Sequence, residues 1–171
     1  MKKIAVILLF LTLQSLESYS QEEPNLVNEK QAAMIGLPAP EFTLFDLDYN
    51  EVILSELEGK AILIDFWASW CRYCRVLNRE NSEIYELYKD RGFQIVSVSF
   101  DTDYYKWKKA SELDNINWMN LNEHKGMESE VGKLFYIDHT PTTFLLDSNK
   151  TILAIEIEGD ELEEKIQELL K

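Results

Sequence analysis

Cysteine is scarce in this chain, whose 171 residues include only Cys71 and Cys74. Neither lies near the N-terminus, which excludes lipid attachment through a cysteine in that segment. Basic side chains are also few. The chain has 17 Lys and Arg and 31 Asp and Glu, which gives a formal net charge of -14. Nucleic acid is therefore an unlikely partner, because phosphate binding needs a basic surface. The N-terminal apolar run at 4–13 is too short to span a bilayer.

The N-terminal segment has the pattern of a secretory signal peptide. Lys2 and Lys3 precede the apolar run, and small residues stand before a cut between Ser20 and Gln21. We expect residues 1–20 to be this signal and the protein to be periplasmic or extracytoplasmic, where disulfides are found. Membrane anchoring through an uncleaved signal is the alternative, against which the length of the run argues.

The remainder predicts one domain behind a short leader. Residues 21–34 are mostly polar and without a clear period, which indicates a flexible lead-in. With 46% hydrophobic residues, the chain is long enough for one substantial core and too short for two ordinary domains. We therefore expect a single domain at 35–171.

Hydrophobic patterning in this domain predicts an α/β fold. Turn residues at 48–50 separate two short apolar segments, which favours an N-terminal hairpin. The nearly all-apolar stretch at 61–66 predicts a central strand covered on both faces. Further strands are predicted at 93–100, 118–121, 142–146 and 151–157, and helices at 76–88, 103–113, 128–135 and 159–170.

The two cysteines stand where the central strand gives way to the first long helix. Residues three apart on a helix lie close enough for a disulfide. The unpaired N–H groups and the dipole of the helix start favour a thiolate at Cys71, the attacking species in disulfide exchange. Cys74 is then the resolving partner. A purely structural disulfide would close so short a loop that it contributes only about 2 kcal/mol.

The sequence around the cysteines resembles a known family. Residues 62–71, Ile-Leu-Ile-Asp-Phe-Trp-Ala-Ser-Trp-Cys, are similar to the thioredoxin active-site strand. Residues 39–44, 140–147 and the predicted insertion at 103–121 resemble the secreted TlpA/ResA-like branch of thiol-disulfide oxidoreductases, with a redoxin (AhpC/TSA-like) domain. The resemblance implies a thioredoxin fold, with a central mixed sheet flanked by helices, an N-terminal hairpin and a central helix-strand insertion.

The resemblance also implies roles for residues outside the motif. Pro141 matches the cis-proline of the family, which leaves the backbone of Thr140 free to pair with an extended substrate segment. Asp65 matches the buried acid that assists proton transfer to and from the second cysteine. A structural acid satisfied by a hydrogen bond is the alternative for Asp65. We assign catalysis to Cys71, Cys74 and Asp65.

The residues between the cysteines depart from the thioredoxin pattern. Arg72 and Tyr73 stand where thioredoxins have Gly-Pro, and this pair tunes the thiolate and the direction of the reaction. Arg72 either stabilises the thiolate or stands in solvent, where its charge is screened. We place both residues in the substrate-binding surface together with Trp70, while Trp67 is expected in the core.

Other charged residues near the motif are expected to be structural. Arg75 and Arg79 are predicted to pair along the helix, Arg79 with Glu83. His139 occupies a position two before Pro141 where TlpA-like chains often have a small residue. It either influences the site by titrating near neutral pH or is a plain surface histidine, and we favour the latter.

The function predicted from these residues is an exported thiol-disulfide oxidoreductase, more a reductase than an oxidant. It needs no cofactor beyond its redox-active dithiol. The resemblance implies disulfide-containing exported proteins as partners, apocytochromes c among them, and a membrane thiol reductant of the DsbD/CcdA type.

Three alternatives belong to other classes. A peroxiredoxin-like peroxidase needs a proline and a threonine or serine before its nucleophile, which Ile64 and Ala68 do not supply. A non-catalytic binding module of thioredoxin fold is disfavoured by the intact cysteine pair. A zinc site would need His124 and His139, whose spacing does not match zinc modules.

Overall fold

The computed structural model describes residues 27–171. Within this part of the chain the strands are β1 (Thr43–Phe45), β2 (Glu51–Ile53), β3 (Ala61–Trp67), β4 (Phe93–Ser99), β5 (Met119–Asn122), β6 (Thr142–Asp147) and β7 (Ile152–Ile155). The α-helices are α1 (Glu29–Ala32), α2 (Arg72–Tyr88), α3 (Tyr104–Leu113), α4 (Glu130–Leu134) and α5 (Gly159–Leu169). None of the helices described is long and apolar enough to cross a membrane.

All seven strands join one mixed sheet in the order β2-β1-β5-β4-β3-β6-β7. β3 pairs in parallel with β4 and antiparallel with β6, so it has hydrogen-bonded neighbours on both sides. β5 continues the parallel part beside β4, and the β1–β2 hairpin joins its outer edge. The predicted hairpin, central strand and inserted helix-strand unit are therefore confirmed.

β3 is the central strand because both of its faces are covered. Every residue of this strand is buried, and the side chains at 61–64 alternate between two cores. Ile64 packs in one core with Trp107 of α3 and Val131 of α4. Leu63 packs in the other core with Ile84 of α2 and Ile166 of α5. This arrangement fixes the end of β3, from which the cysteine motif follows.

The N-terminal boundary of the domain differs from the prediction. Residues 1–26, with the expected signal and the first part of the lead-in, lie outside the described part. Asn28 caps the short helix α1 by accepting from the Gln31 N–H, and the Gln31 side chain accepts in return from the Asn28 N–H. Gln31 is fully buried and donates to the carbonyl of Phe135. The prediction of a flexible chain up to residue 34 was therefore wrong from Asn28 onwards.

Candidate active site

The cysteine pair is a disulfide at the start of α2. The two sulfur atoms are 2.02 Å apart, and Cys71 is the N-cap residue of the helix. The backbone N–H of Cys74 donates to the sulfur of Cys71 at 3.1 Å. Cys71 is 8% exposed and Cys74 only 1%. Cys71 is thus the sulfur that an incoming group reaches first, and in the reduced state the same N–H stabilises its thiolate.

The loop before Cys71 is held by the carboxylate of Asp101, just after β4. This carboxylate accepts from the Ser69 N–H at 2.8 Å and from the Ser69 hydroxyl at 2.5 Å. The Ser99 hydroxyl donates to the same group at 2.8 Å, and Asp101 is 2% exposed. Sequence reasoning missed Asp101, because nothing local links it to a loop more than thirty positions earlier. This network fixes where α2 begins.

The two tryptophans beside the motif have different surroundings. Trp67 is fully buried, and its indole N–H donates to Asn120 at 3.2 Å. The same amide oxygen accepts from Trp107 of the insertion at 3.0 Å. Trp70 is 60% exposed. Trp67 therefore belongs to the core, as expected, and Trp70 offers an aromatic surface next to the disulfide.

A cis peptide bond joins Thr140 and Pro141, opposite the disulfide. The carbonyl oxygen of Thr140 lies 3.6 Å from the sulfur of Cys71. Within residues 27–171 the N–H of Thr140 has no hydrogen-bond partner. This segment therefore presents open backbone groups at the reactive sulfur, as strand addition by a peptide requires.

Asp65 lies on β3 and is 2% exposed. Its carboxylate accepts from the Ser97 hydroxyl at 3.1 Å, and that hydroxyl in turn accepts from the Trp118 indole N–H at 2.8 Å. Burial raises the pKa of Asp65 to about 7, the charge of Glu156 adds to the rise, and the Ser97 hydrogen bond opposes it. The carboxyl therefore gains and loses a proton near neutral pH, which a general acid or base requires.

Arg72 and Tyr73 both face outward from the first turn of α2. Arg72 is exposed and makes no ion pair with any residue at 27–171, so its charge is solvated. The Tyr73 hydroxyl donates to Glu158 at 2.7 Å, and this hydrogen bond raises the pKa of Tyr73 to about 12. Tyr73 is 51% exposed. The ring therefore forms one wall of the surface around the disulfide.

The next two cations of α2 are paired with an acid of the insertion. Arg75 and Arg79 both bind the buried carboxylate of Asp114, which follows α3, and Arg79 does so at 3.2 Å. Asn78 also donates to Asp114 at 3.2 Å. The predicted pairing along the helix, Arg79 with Glu83, was wrong because the insertion brings a buried acceptor onto this face. The cluster fastens the insertion to the redox helix.

His139 has partners that the sequence did not reveal. Its Nδ1 lies 2.7 Å from Asp138 Oδ1, and its Nε2 lies 3.3 Å from Glu156 Oε1 without the alignment of a hydrogen bond. The side chain is 34% exposed. The interpretation as a plain surface histidine was wrong, because the fold places the ring between two carboxylates.

These features define a class. A disulfide at the start of a helix, a buried acid on the preceding strand and a cis-proline opposite form the thiol-disulfide exchange site of a thioredoxin fold. Residues 35–155 match the family model described as the AhpC/TSA family, and the chain belongs to that family.

Relatives and solved structures narrow the class. Thiol-disulfide oxidoreductase ResA of Geobacillus kaustophilus is 29% identical over 147 residues, which cover 86% of this chain and 82% of the relative. ResA of Oceanobacillus iheyensis is 31% identical, with coverages of 77% and 69%.

Two solved structures carry the same fold. The C-terminal domain of a thiol-disulfide oxidoreductase from Bacteroides thetaiotaomicron has a TM-score of 0.75 and 34% identity, covering 80% of this chain and 95% of that one. A thiol-disulfide oxidoreductase from Bacteroides fragilis has a TM-score of 0.72 and 31% identity, covering 77% and 98%. The protein is a TlpA/ResA-type thiol-disulfide oxidoreductase with a thioredoxin-like domain.

Proposed function

We propose that the protein works outside the cytoplasm as a reductant of disulfides in other exported proteins. The signal pattern at 1–20 supports the location. The direction of electron transfer, from the dithiol to the substrate, is inferred from the acidic side chain beside the dithiol. Tyr73 stands between the cysteines, and its hydroxyl donates to the Glu158 carboxylate at 2.7 Å, which places a negative charge beside the motif. A negative charge there disfavours the Cys71 thiolate.

Charge near the thiolate decides the direction of exchange. A strong oxidant of this fold stabilises its reduced, thiolate form. Here Asp114 binds Arg75 and Arg79, and Arg72 is exposed to screening solvent. The reduced form therefore gains little from cations and gives up its electrons readily. We expect a reduction potential nearer the value of about -270 mV for thioredoxin than the value of about -120 mV for DsbA.

The reaction moves two electrons from the dithiol to the substrate. The Cys71 thiolate attacks one sulfur of a substrate disulfide held against Thr140 and Pro141. A mixed disulfide forms, and the other substrate sulfur leaves as a thiolate and takes up a proton. Cys74, deprotonated by Asp65, then attacks Cys71. This step closes the Cys71–Cys74 disulfide and releases the second substrate thiol.

The partners follow from this proposal. Substrates are disulfide-containing exported proteins, of which apocytochromes c before haem attachment are one candidate class. Regeneration of the dithiol requires a thiol reductant that carries electrons across the membrane, such as a protein of the DsbD/CcdA type. The redox-active cysteines then suffice without a further cofactor.

Trapping tests the roles of the two cysteines. Cys74→Ser in the exporting cell is expected to accumulate mixed disulfides with exported proteins, because the resolving thiol is gone. Cys71→Ser is the matched control and is expected to accumulate none. Identical behaviour of the two variants would contradict the assigned roles.

The potential tests the direction. The purified protein is equilibrated in glutathione or dithiothreitol buffers and its redox state is read by tryptophan fluorescence. A potential close to that of DsbA would refute the reductase proposal. Insulin reduction and peroxide reduction, measured side by side, separate this activity from a binding module and from a peroxidase.

A further inference from the structure

The His139 ring sits in an arrangement that needs a proton. A neutral imidazole carries one N–H and one lone pair, whereas an imidazolium carries two N–H groups. Each ring nitrogen of His139 faces a carboxylate oxygen, at 2.7 Å for Asp138 and 3.3 Å for Glu156. Loss of the proton leaves a lone pair of Nε2 opposite a carboxylate oxygen. Only a proton on the ring or on Glu156 makes both contacts favourable.

Glu156 is unusual in its backbone and in its burial. Its φ is 56°, in the left-handed region, where a residue with a side chain is strained. Its side chain is 15% exposed, and Oε1 is shielded from solvent without a hydrogen bond. Such a position persists only where its surroundings impose it. The backbone N–H of Glu156 is in fact held by the carbonyl of Thr143 at 2.9 Å.

The pair is joined to the segment that holds the cis-proline. His139 precedes Thr140 directly, and its carbonyl accepts from the Thr142 hydroxyl at 3.1 Å. Glu156 is bonded to the next residue of the same strand, Thr143. His139 and Glu156 are therefore attached to the two ends of the stretch 139–143. The N–H of Thr140, which has no partner among the described residues, lies within this stretch.

Acidic groups from several elements lie near the pair. Asp138 lies on the same loop and is itself held by the side-chain amide of Asn28 at 3.2 Å. From the segment after β7, the charge of Glu158 acts on Glu156, and the charge of Glu156 acts in turn on the buried Asp65 of β3. Burial raises the pKa of Glu156, and the His139 ring opposes that rise. His139 thus lies between two carboxylates, and a third, that of Glu158, acts on Glu156.

We propose that His139 and Glu156 share one proton that holds the cis-proline segment in its substrate-binding position, so that loss of this proton weakens peptide pairing at Thr140. This inference rests on the proposed function, because that function makes the segment the substrate-binding strand. His139 and Glu156 are positioning residues, which act through the backbone of Thr140 and not on the sulfur atoms.

A titration of the oxidised protein tests the proposal without thiol chemistry. NMR follows the ring signals of His139 and the amide signal of Thr140 as the pH changes. A short extended peptide with serine in place of cysteine serves as the binding probe. We expect the His139 and Thr140 signals to share one titration midpoint. The peptide dissociation constant is expected to rise about threefold from about pH 6 to about pH 8, because the loss in binding is only a fraction of the strength of a charge-assisted hydrogen bond.

Three variants complete the test. In His139→Gln and Glu156→Gln the Thr140 signal and the peptide affinity are expected to lose this pH dependence. His124→Gln, at the other histidine of the chain, is the matched control and is expected to behave as wild type. An unchanged pH dependence in His139→Gln would overturn the proposal. Because the probe has no thiol, this outcome would not bear on disulfide reduction. Absence of insulin reduction by the wild-type protein would overturn the proposed function and would not bear on the proton shared by His139 and Glu156.

Discussion

Replacing Asp65 by Asn removes a buried titrating group and keeps the shape of the side chain. In the folded protein burial raises the pKa of Asp65 from 3.8 to about 7. In the unfolded chain the same carboxyl is solvated and ionises as usual. The folded state therefore retains a proton, between about pH 4 and about pH 7, that the unfolded state has lost. We expect the two proteins to differ in stability over this interval.

The sign and size follow from linkage. Because the pKa of this acid is raised by folding, wild-type stability falls as the pH rises from the unfolded pKa to the folded pKa. Each pKa unit corresponds to 1.36 kcal/mol, so a rise of about three units gives ~4 kcal/mol. The Asp65→Asn variant has no titrating group at this position, so its stability does not fall in this way. The variant is expected to equal wild type near pH 4 and to exceed it by up to ~4 kcal/mol at pH 8.

Urea unfolding of the oxidised proteins at a series of pH values measures this difference. The other titrating groups are shared, so subtraction of the two free energies of unfolding isolates Asp65. In the same variant the release of substrate from the mixed disulfide is expected to slow by a factor of about 100 or more, because Cys74 loses its base. Greater stability and slower resolution are thus predicted for one substitution.

Two outcomes would refute the reasoning. If Asp65→Asn were no more stable than wild type at pH 8, burial would not raise the pKa of this carboxyl. If the variant were more stable but resolved mixed disulfides at the wild-type rate, Asp65 would be a structural acid only. The second outcome corresponds to the alternative that the sequence left open.

Further predictions concern the groups around the site. Asp114→Ala is expected to lower the free energy of unfolding by about 3 kcal/mol, because it removes the buried acceptor shared by two cations. Glu83→Ala is the control, at the residue that the sequence predicted as the partner of Arg79, and it should leave urea unfolding nearly unchanged. Ser97→Ala removes the hydrogen bond that lowers the pKa of Asp65, so the pH profile of substrate release from the mixed disulfide should move to higher pH by about one unit. An unmoved profile would show that Ser97 has no influence on the acid.

The sequence predicted what depends on local pattern. The unbroken apolar stretch at 61–66 indicated a strand buried on both faces, and β3 is fully buried. The spacing of the two cysteines at a strand-helix junction indicated a disulfide, and the structure contains it. Resemblance added Pro141, which follows a cis peptide bond. Local periodicity, a short motif and the family resemblance carry this information.

Contacts across long stretches of sequence were not predictable in the same way. Asp114 lies 39 positions from Arg75, and Asp101 lies 32 positions from Ser69. No period or motif connects such pairs, and an (i, i+4) partner such as Glu83 is the natural expectation for Arg79. The carboxylates around His139 were hidden for the same reason, because Glu156 reaches the ring only after β6 and β7 have paired.

One missed element did leave a local signal. Asn28-Glu29-Lys30-Gln31 has a capping residue followed three positions later by glutamine, the pattern of a capping box. A helix of four residues has too few turns to show a hydrophobic period, so the pattern was easily taken for a polar linker. Its partner in the fold, the carbonyl of Phe135, is 104 positions away.

Helix α1 has a consequence for where the domain can be cut. A recombinant domain starting at residue 35 would lose the amide that holds Asp138, and with it a support of the loop that carries His139. It would also lose the buried amide of Gln31. Val27 also packs against the core, so the folded part of the chain begins no later than this residue. Trimming the chain further removes contacts to the loop before Pro141 as well as shortening the chain.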